Sequence, residues 1–203
     1  MSCNMLYNTI KRVNPITQLK EQKMKKLSVL LSAMLISGSI SAQKFMSREG
    51  YIKFFGSTPM ENIEAVSSQA SSVIDASNNA VVFQVLLNSF TFEKALMQEH
   101  FNENYVESEK YPKAVFKGNI VDKVEYSKPG TYKVTLKGTM SLHGVDKAVT
   151  TPATLIVEKG TIKLAAEFQM IPEDYNIAIP GAVREKIAKQ MDVTVKCSYQ
   201  EVK

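Results

Sequence analysis

The sequence predicts an all-β domain in which antiparallel strands close into a barrel. The first observation is one long hairpin between Gly130 and Val157. Tyr132, Val134, Leu136, Met140 and Leu142 hold its even positions, and Lys133, Thr135, Lys137, Thr139 and Ser141 the odd ones. A period of two kept up over about a dozen residues marks a half-buried strand. The second is its length, well beyond the usual strand of roughly 5–6 residues. Antiparallel strands that long twist, and strongly twisted sheets tend to close. The third is spacing: about eight alternating runs separated by turn residues, with two short helical stretches, suit a sandwich or barrel and fit neither an α/β fold nor a bundle.

From residue 43 onward, Gln43 to Glu49 reads as a polar lead-in, and Tyr51 to Gly56 as a first strand ended by Ser57-Thr58-Pro59. Glu61 to Ser72 is ambiguous. Ile63 and Val66 fit a helical turn, yet the run of serines does not favour one. Val73-Ile74-Asp75 is extended, Ser77-Asn78-Asn79 a turn, and Val81 to Leu87 a strand of β-branched and aromatic residues. Asn88-Ser89 interrupts it before Phe90 and Phe92. From Glu93 the period becomes helical: Phe92, Leu96 and His100 share a face, as do Met97 and Phe101, with fraying expected near Asn102 to Asn104. Tyr111-Pro112 forces extension into a strand at Ala114-Val115-Phe116. Asp122 to Tyr126 leads to a turn at Lys128-Pro129-Gly130, and the hairpin follows, with His143 to Lys147 as its turn and Val149, Ala153, Leu155 and Val157 resuming the alternation. Gly138, in mid-strand, marks a site for a bend or bulge. Thr161 to Met170 alternates again, Glu173 to Asn176 breaks it, and Pro180 opens a short helix carrying Val183, Ile187 and Met191 at intervals of four. Val193 to Val202 closes the sheet.

Residues 24–42 have the layout of a signal peptide: Lys25 and Lys26, an apolar run from Leu27 to Ile36, then Ser39-Ile40-Ser41-Ala42 before the expected cut. That run of about ten residues is too short to span a bilayer, which needs roughly 20. Residues 1–23 do not belong to such a signal, so Met24 is the expected start and the upstream stretch an over-called one. The expected mature domain is a single unit, residues 43–203, placed in the periplasm or secreted. Of 25 basic and 20 acidic residues, six and one lie in residues 1–42, so 19 of each remain. The mature domain is formally neutral, which removes the charge argument for nucleic acid or stable membrane association. Of the two cysteines, Cys3 lies in the leader, and Cys197, within Val193-Val195-Cys197, reads as a small buried hydrophobe.

Little in the sequence supports catalysis. His100 and His143 are the only histidines, too few to make a zinc site with one strand cysteine. There is no Gly-x-Ser-x-Gly elbow and no phosphate loop. The spacing of Glu99, Glu103, Glu107 and Glu109 with Lys94 and Lys110 suits a solvated helix face and loop better than a catalytic pair. No catalytic residue, metal or cofactor is therefore expected. The aromatic residues are more informative: Phe54, Phe55, Phe83, Phe90, Phe92, Phe101, Phe116 and Phe168, with Met97, Met140 and Met170, either line an apolar cavity or fill a solid core. His143 either shapes its turn or orients a ligand headgroup, and His100 is either a polar contact for a ligand or a structural one.

The segment Phe101-Asn102-Glu103, Glu109-Lys110-Tyr111-Pro112-Lys113-Ala114-Val115-Phe116 and Gly138-Thr139-Met140-Ser141-Leu142-His143-Gly144-Val145 resembles the YceI-like family in order and spacing. Asp174-Tyr175-Asn176-Ile177 sits where that family often has Asp-Phe-Gly-Ile, and the likeness runs from about Gly50 to Glu201. The resemblance implies an eight-stranded antiparallel lipocalin-like barrel, exported in bacteria, with a hydrophobic tunnel for a polyisoprenoid or similar long-chain lipid. It departs at the end of the first strand, where family members commonly carry a histidine and Tyr51 to Ser57 has none. The expected function is lipid binding without catalysis. Phe83, Phe90, Phe92, Phe116 and Met140 are the candidate walls, with His100 and His143 at a polar end. The competing reading is a ligand-free envelope interaction or stress-response barrel with a filled interior. Oligomeric state is not legible.

Overall fold

The computed structural model describes residues 43–202. The expected upstream stretch and signal peptide lie outside the described residues. Nine strands follow one another: β1 (Lys44–Ser57), β2 (Asn62–Asp75), β3 (Ala80–Leu86), β4 (Thr91–Phe92), β5 (Lys113–Ile120), β6 (Gly130–Leu142), β7 (Val145–Glu158), β8 (Thr161–Met170) and β9 (Met191–Val202). Between β4 and β5 lies a short helix, α1 (Ala95–His100). The sheet order is β1-β9-β8-β7-β6-β5-β3-β2, and β1 pairs back onto β2. Every pairing is antiparallel, so eight strands make a closed barrel. The two-residue β4 pairs with β2 at Ala65 and Val66, the stretch that β3 leaves uncovered.

The long hairpin forms as predicted, with an unbroken register from Gly130↔Val157 to Leu142↔Val145. Val134, Leu136, Met140 and Leu142 are buried inside the barrel. Its turn is shorter than the sequence indicates. His143 (φ 50°) and Gly144 (φ 74°) alone make the reversal, as in a type I′ turn, which matches strand twist, and Val145 to Lys147 already belong to β7. Gly138 is not a bulge either, for the register runs regularly through it. It faces Gly118 of β5, and a Cβ on either would strike the opposite backbone. The paired glycines let two strands approach closely. The irregularities that bend the barrel lie in β1, between Ser47 and Ile52.

Four other readings are corrected. The polar lead-in is the start of β1: Phe45 and Ser47 point inward while Lys44, Arg48 and Glu49 face solvent, and Phe45 stacks on Tyr126 at 6.0 Å. The ambiguous Glu61–Ser72 stretch falls largely within β2, which between Ile63 and Ile74 turns the small residues Ala65, Ser67, Ala70 and Ser72 inward. A strand with a small polar inner face shows no hydrophobic alternation, which is why its pattern reads poorly. After Pro180 only a 3₁₀ turn forms, at Gly181–Val183, and Met191 belongs to β9. The helix at Ala95–His100 does not fray at Asn102 but widens into a π-helical turn, Phe101–Tyr105.

The two ends of the barrel differ. At the end holding the β2–β3 and β7–β8 turns, Ile74, Leu155, Ile162 and Tyr199 are 0% exposed and pack as a solid core. All the longer connections that carry helical turns cross the other end: Leu87 to Pro112 with α1, and Ile171 to Gln190.

Candidate functional site: a cavity at the capped end

Beneath α1 the barrel is hollow, with a cavity of about 510 Å³. Alternation along β1, β6 and β8 delivers Ile52, Phe54, Met140, Phe168 and Met170 to it. The connections supply its cover, Met97 and Phe101 from the helical segment and Ile177, Ile179 and Ile187 from the β8–β9 crossing. One wall is an aromatic cluster in which Phe54, Phe90, Phe92 and Phe101 meet at centroid distances between 5.1 Å (Phe92–Phe101) and 5.9 Å (Phe90–Phe101). Phe54 and Phe168 point inward yet are only half-buried, because part of each ring faces open space and not another side chain.

The rim is charged. Lys94 Nζ donates to Glu61 Oε1 at 2.8 Å, which lowers the Glu61 carboxyl and raises the Lys94 ammonium. Lys186 acts on Glu61 from the β8–β9 crossing and also lines the opening, as do His100 and the 61%-exposed Leu96. Below the main cavity lies a second space of about 80 Å³. Ile52, Val85, Ala114, Met140 and Phe168 line both and therefore form the wall between them.

The predicted residues distribute unevenly. Phe90, Phe92, Met140 and His100 line the main cavity, whereas Phe83 and Phe116 line the smaller one. Phe55 faces outward, beneath Lys53 at 5.9 Å. His143 lines neither cavity. Its Nε2 meets Glu107 Oε2 at 2.8 Å and its Nδ1 meets the Tyr175 carbonyl at 3.0 Å. The Tyr111 ring packs edge-on against it at 4.6 Å. Both polar partners accept hydrogen bonds, so the two contacts coexist only with a proton on each ring nitrogen or one carried by the carboxyl. His143 thus ties the hairpin turn to the segments that carry Val106 and Ile177 into the cavity wall. The sequence missed Glu61, Lys94 and Lys186. They are far apart in the chain and no periodic pattern joins them. Cys197 is buried, and burial raises its thiol to about 11.

A half-hollow, closed antiparallel barrel with this motif order has a counterpart among known families: the model of the YceI-like domain matches residues 40–199. The chain belongs to the YceI-like family. A search of curated proteins returns no match. Solved structures share the YceI-like fold at low identity. A polyisoprenoid binding domain from Saccharophagus degradans, implicated in plant cell wall breakdown, aligns with a TM-score of 0.67 at 15% identity, covering 79% of this chain and 99% of that one. Burkholderia cenocepacia BcnA aligns at 0.62 and 13% identity, covering 73% and 95%. The Campylobacter jejuni YceI protein aligns at 0.56 and 16%, covering 68% and 85%. At these identities the likeness is one of fold. The cavity and rim rest on this chain's own residues.

Proposed function

We propose that this YceI-like protein is an exported lipid-binding barrel that holds a polyisoprenoid or similar apolar chain and shields it from water. The observation that carries the proposal is the cavity of about 510 Å³, within the range of roughly 300–1,000 Å³ for small-molecule sites. Its wall is apolar and its charges are confined to the rim, the arrangement an amphiphile fits. Each buried methylene contributes ~0.8 kcal/mol, so a chain binds without many polar contacts once the cost of immobilising it is met. The polyisoprenoid-binding character of the Saccharophagus domain supports this ligand class through the shared fold. The same features favour binding over catalysis. The alternative of a ligand-free interaction barrel requires a filled interior, and the hollow end favours the lipid reading.

Native mass spectrometry of protein extracted gently from the cell envelope is expected to show an apolar molecule bound. Its N-terminal sequence is expected to begin at Gln43, as export with removal of the leader requires. Protein that repeatedly emerges empty and takes up no added apolar chain would sink the binding proposal. An intact leader on protein recovered outside the cytoplasm would sink the proposed cleavage.

A further inference from the structure

The wall between the two cavities is a collar. Ile52 belongs to β1, Val85 to β3, Ala114 to β5, Met140 to β6 and Phe168 to β8. Five of the eight ring strands therefore each place one residue where the two spaces meet. Past the collar lies the second space of about 80 Å³, which Tyr199 lines, and Ile74 and Tyr199 in the core at that end are 0% exposed. An apolar chain entering from the rim meets a floor partway down the barrel. The space above the floor, about 510 Å³, limits how much of a chain can leave water.

The rim constrains the other end of the ligand. The charged residues lining the cavity are Glu61, Lys94 and Lys186, two cations and one anion. Glu61 is paired with Lys94, and Glu93 acts on Lys94 without lining the cavity. Among the described residues Lys186 has no carboxylate within salt-bridge distance. The lining is one negative charge short of balance.

We propose that the collar is a chain-length stop, with Met140 and Phe168 as the specificity-determining residues, and that the cavity takes a single-chain amphiphile tail-first, its anionic head group at Lys94 and Lys186. The inference rests on the lipid-binding reading above and narrows it. Chain beyond the length that fills the space above the floor stays outside in water and adds no affinity.

The test is binding of straight-chain carboxylates of about 8 to 22 carbons, and of the alcohols of matching length, to the delipidated protein. Affinity is expected to rise about fourfold per methylene, the equivalent of ~0.8 kcal/mol, and to level off within the series. In Phe168→Ala or Met140→Ala the collar opens toward the second space and the plateau is expected to move to longer chains. Two variants guard against one failing to fold, which circular dichroism reports. Carboxylates are expected to bind about tenfold more tightly than alcohols, a preference that Lys186→Gln reduces without moving the plateau. Affinity that climbs steadily to the longest chain, or a plateau unmoved in both folded variants, overturns the length stop. Equal binding of alcohols and carboxylates overturns the head-group assignment. Failure of every chain to bind condemns the lipid-binding reading itself, a different result from either.

Discussion

Buried polar groups in the filled half of the barrel show how single residues hold this fold. Tyr199 donates its hydroxyl hydrogen to Ser72 Oγ at 2.8 Å, and Ser72 Oγ donates in turn to the Val82 carbonyl at 2.8 Å. The chain ties β9 to β2 across the interior and leaves neither hydroxyl without a partner. Tyr199→Phe removes one link while Ser72 keeps its carbonyl, so the expected loss is about 1 kcal/mol, read from the urea midpoint. Cys197 lies in the same region. Burial holds its thiol near 11, so the nucleophilic thiolate is scarce at neutral pH. Native protein is expected to resist iodoacetamide at pH 7.5, with Cys197 labelled only after unfolding; rapid labelling of the folded protein would contradict the burial. Its assignment as a small buried hydrophobe was legible from the Val193-Val195-Cys197 alternation, which also puts Tyr199 on the same face, whereas its other hydroxyl neighbour, Ser47, comes from β1 and is concealed by sequence separation.

Among the elements, the β6–β7 hairpin is the most constrained. Its turn places two successive residues at positive φ, and a Cβ on Gly144 would lie 2.8 Å from Tyr111 Cε1. Gly160, in the β7–β8 turn, also has a positive φ, 76°, but a Cβ there would meet nothing within 4 Å. The two glycines separate backbone strain from crowding. Gly160→Ala is expected to cost about 1–2 kcal/mol from the left-handed backbone alone, and Gly144→Ala measurably more. Equal losses in thermal or urea unfolding would mean that Tyr111 yields freely. The alternation of β6, β7 and β8 was readable because large apolar residues alternate with lysine and threonine. That of β2 was not, because the middle of its inner face is alanine and serine and those residues carry no periodic contrast.

For the whole molecule, closure and burial set the response to alkali. Burial raises the Tyr126 phenol to about 12, with the Asp75 charge adding to it, and the Cys197 thiol to about 11. In the unfolded chain these groups ionise near their ordinary values, about 10 and 8.5. The unfolded state therefore releases protons first as pH rises. Their contribution is fully present below about pH 8.5 and is lost as pH climbs through 11 to 12. Urea unfolding between about pH 7 and 8 is expected to show no change from these two groups, and the midpoint to fall steadily above about pH 9. A midpoint that holds constant to about pH 11 would show that the two groups are better solvated than their positions in the barrel imply.

The sequence by itself determined the succession of most strands, the inward face of each clearly alternating strand and the closing of the sheet. These follow from local periodicity and from strand length. It placed Phe90, Phe92, Met140 and His100 among the candidate ligand contacts, and all four line the main cavity. Only the tertiary structure decided whether inward residues meet one another or face empty space. It also decided that one end is filled and the other hollow, that His143 braces the cap, and that Glu61, Lys94 and Lys186 share a rim. The physical reason is that alternation assigns a side chain to a face, whereas free volume is what remains after inward side chains from eight strands are packed together. That remainder depends on which residues meet across the barrel, and those are far apart in the chain.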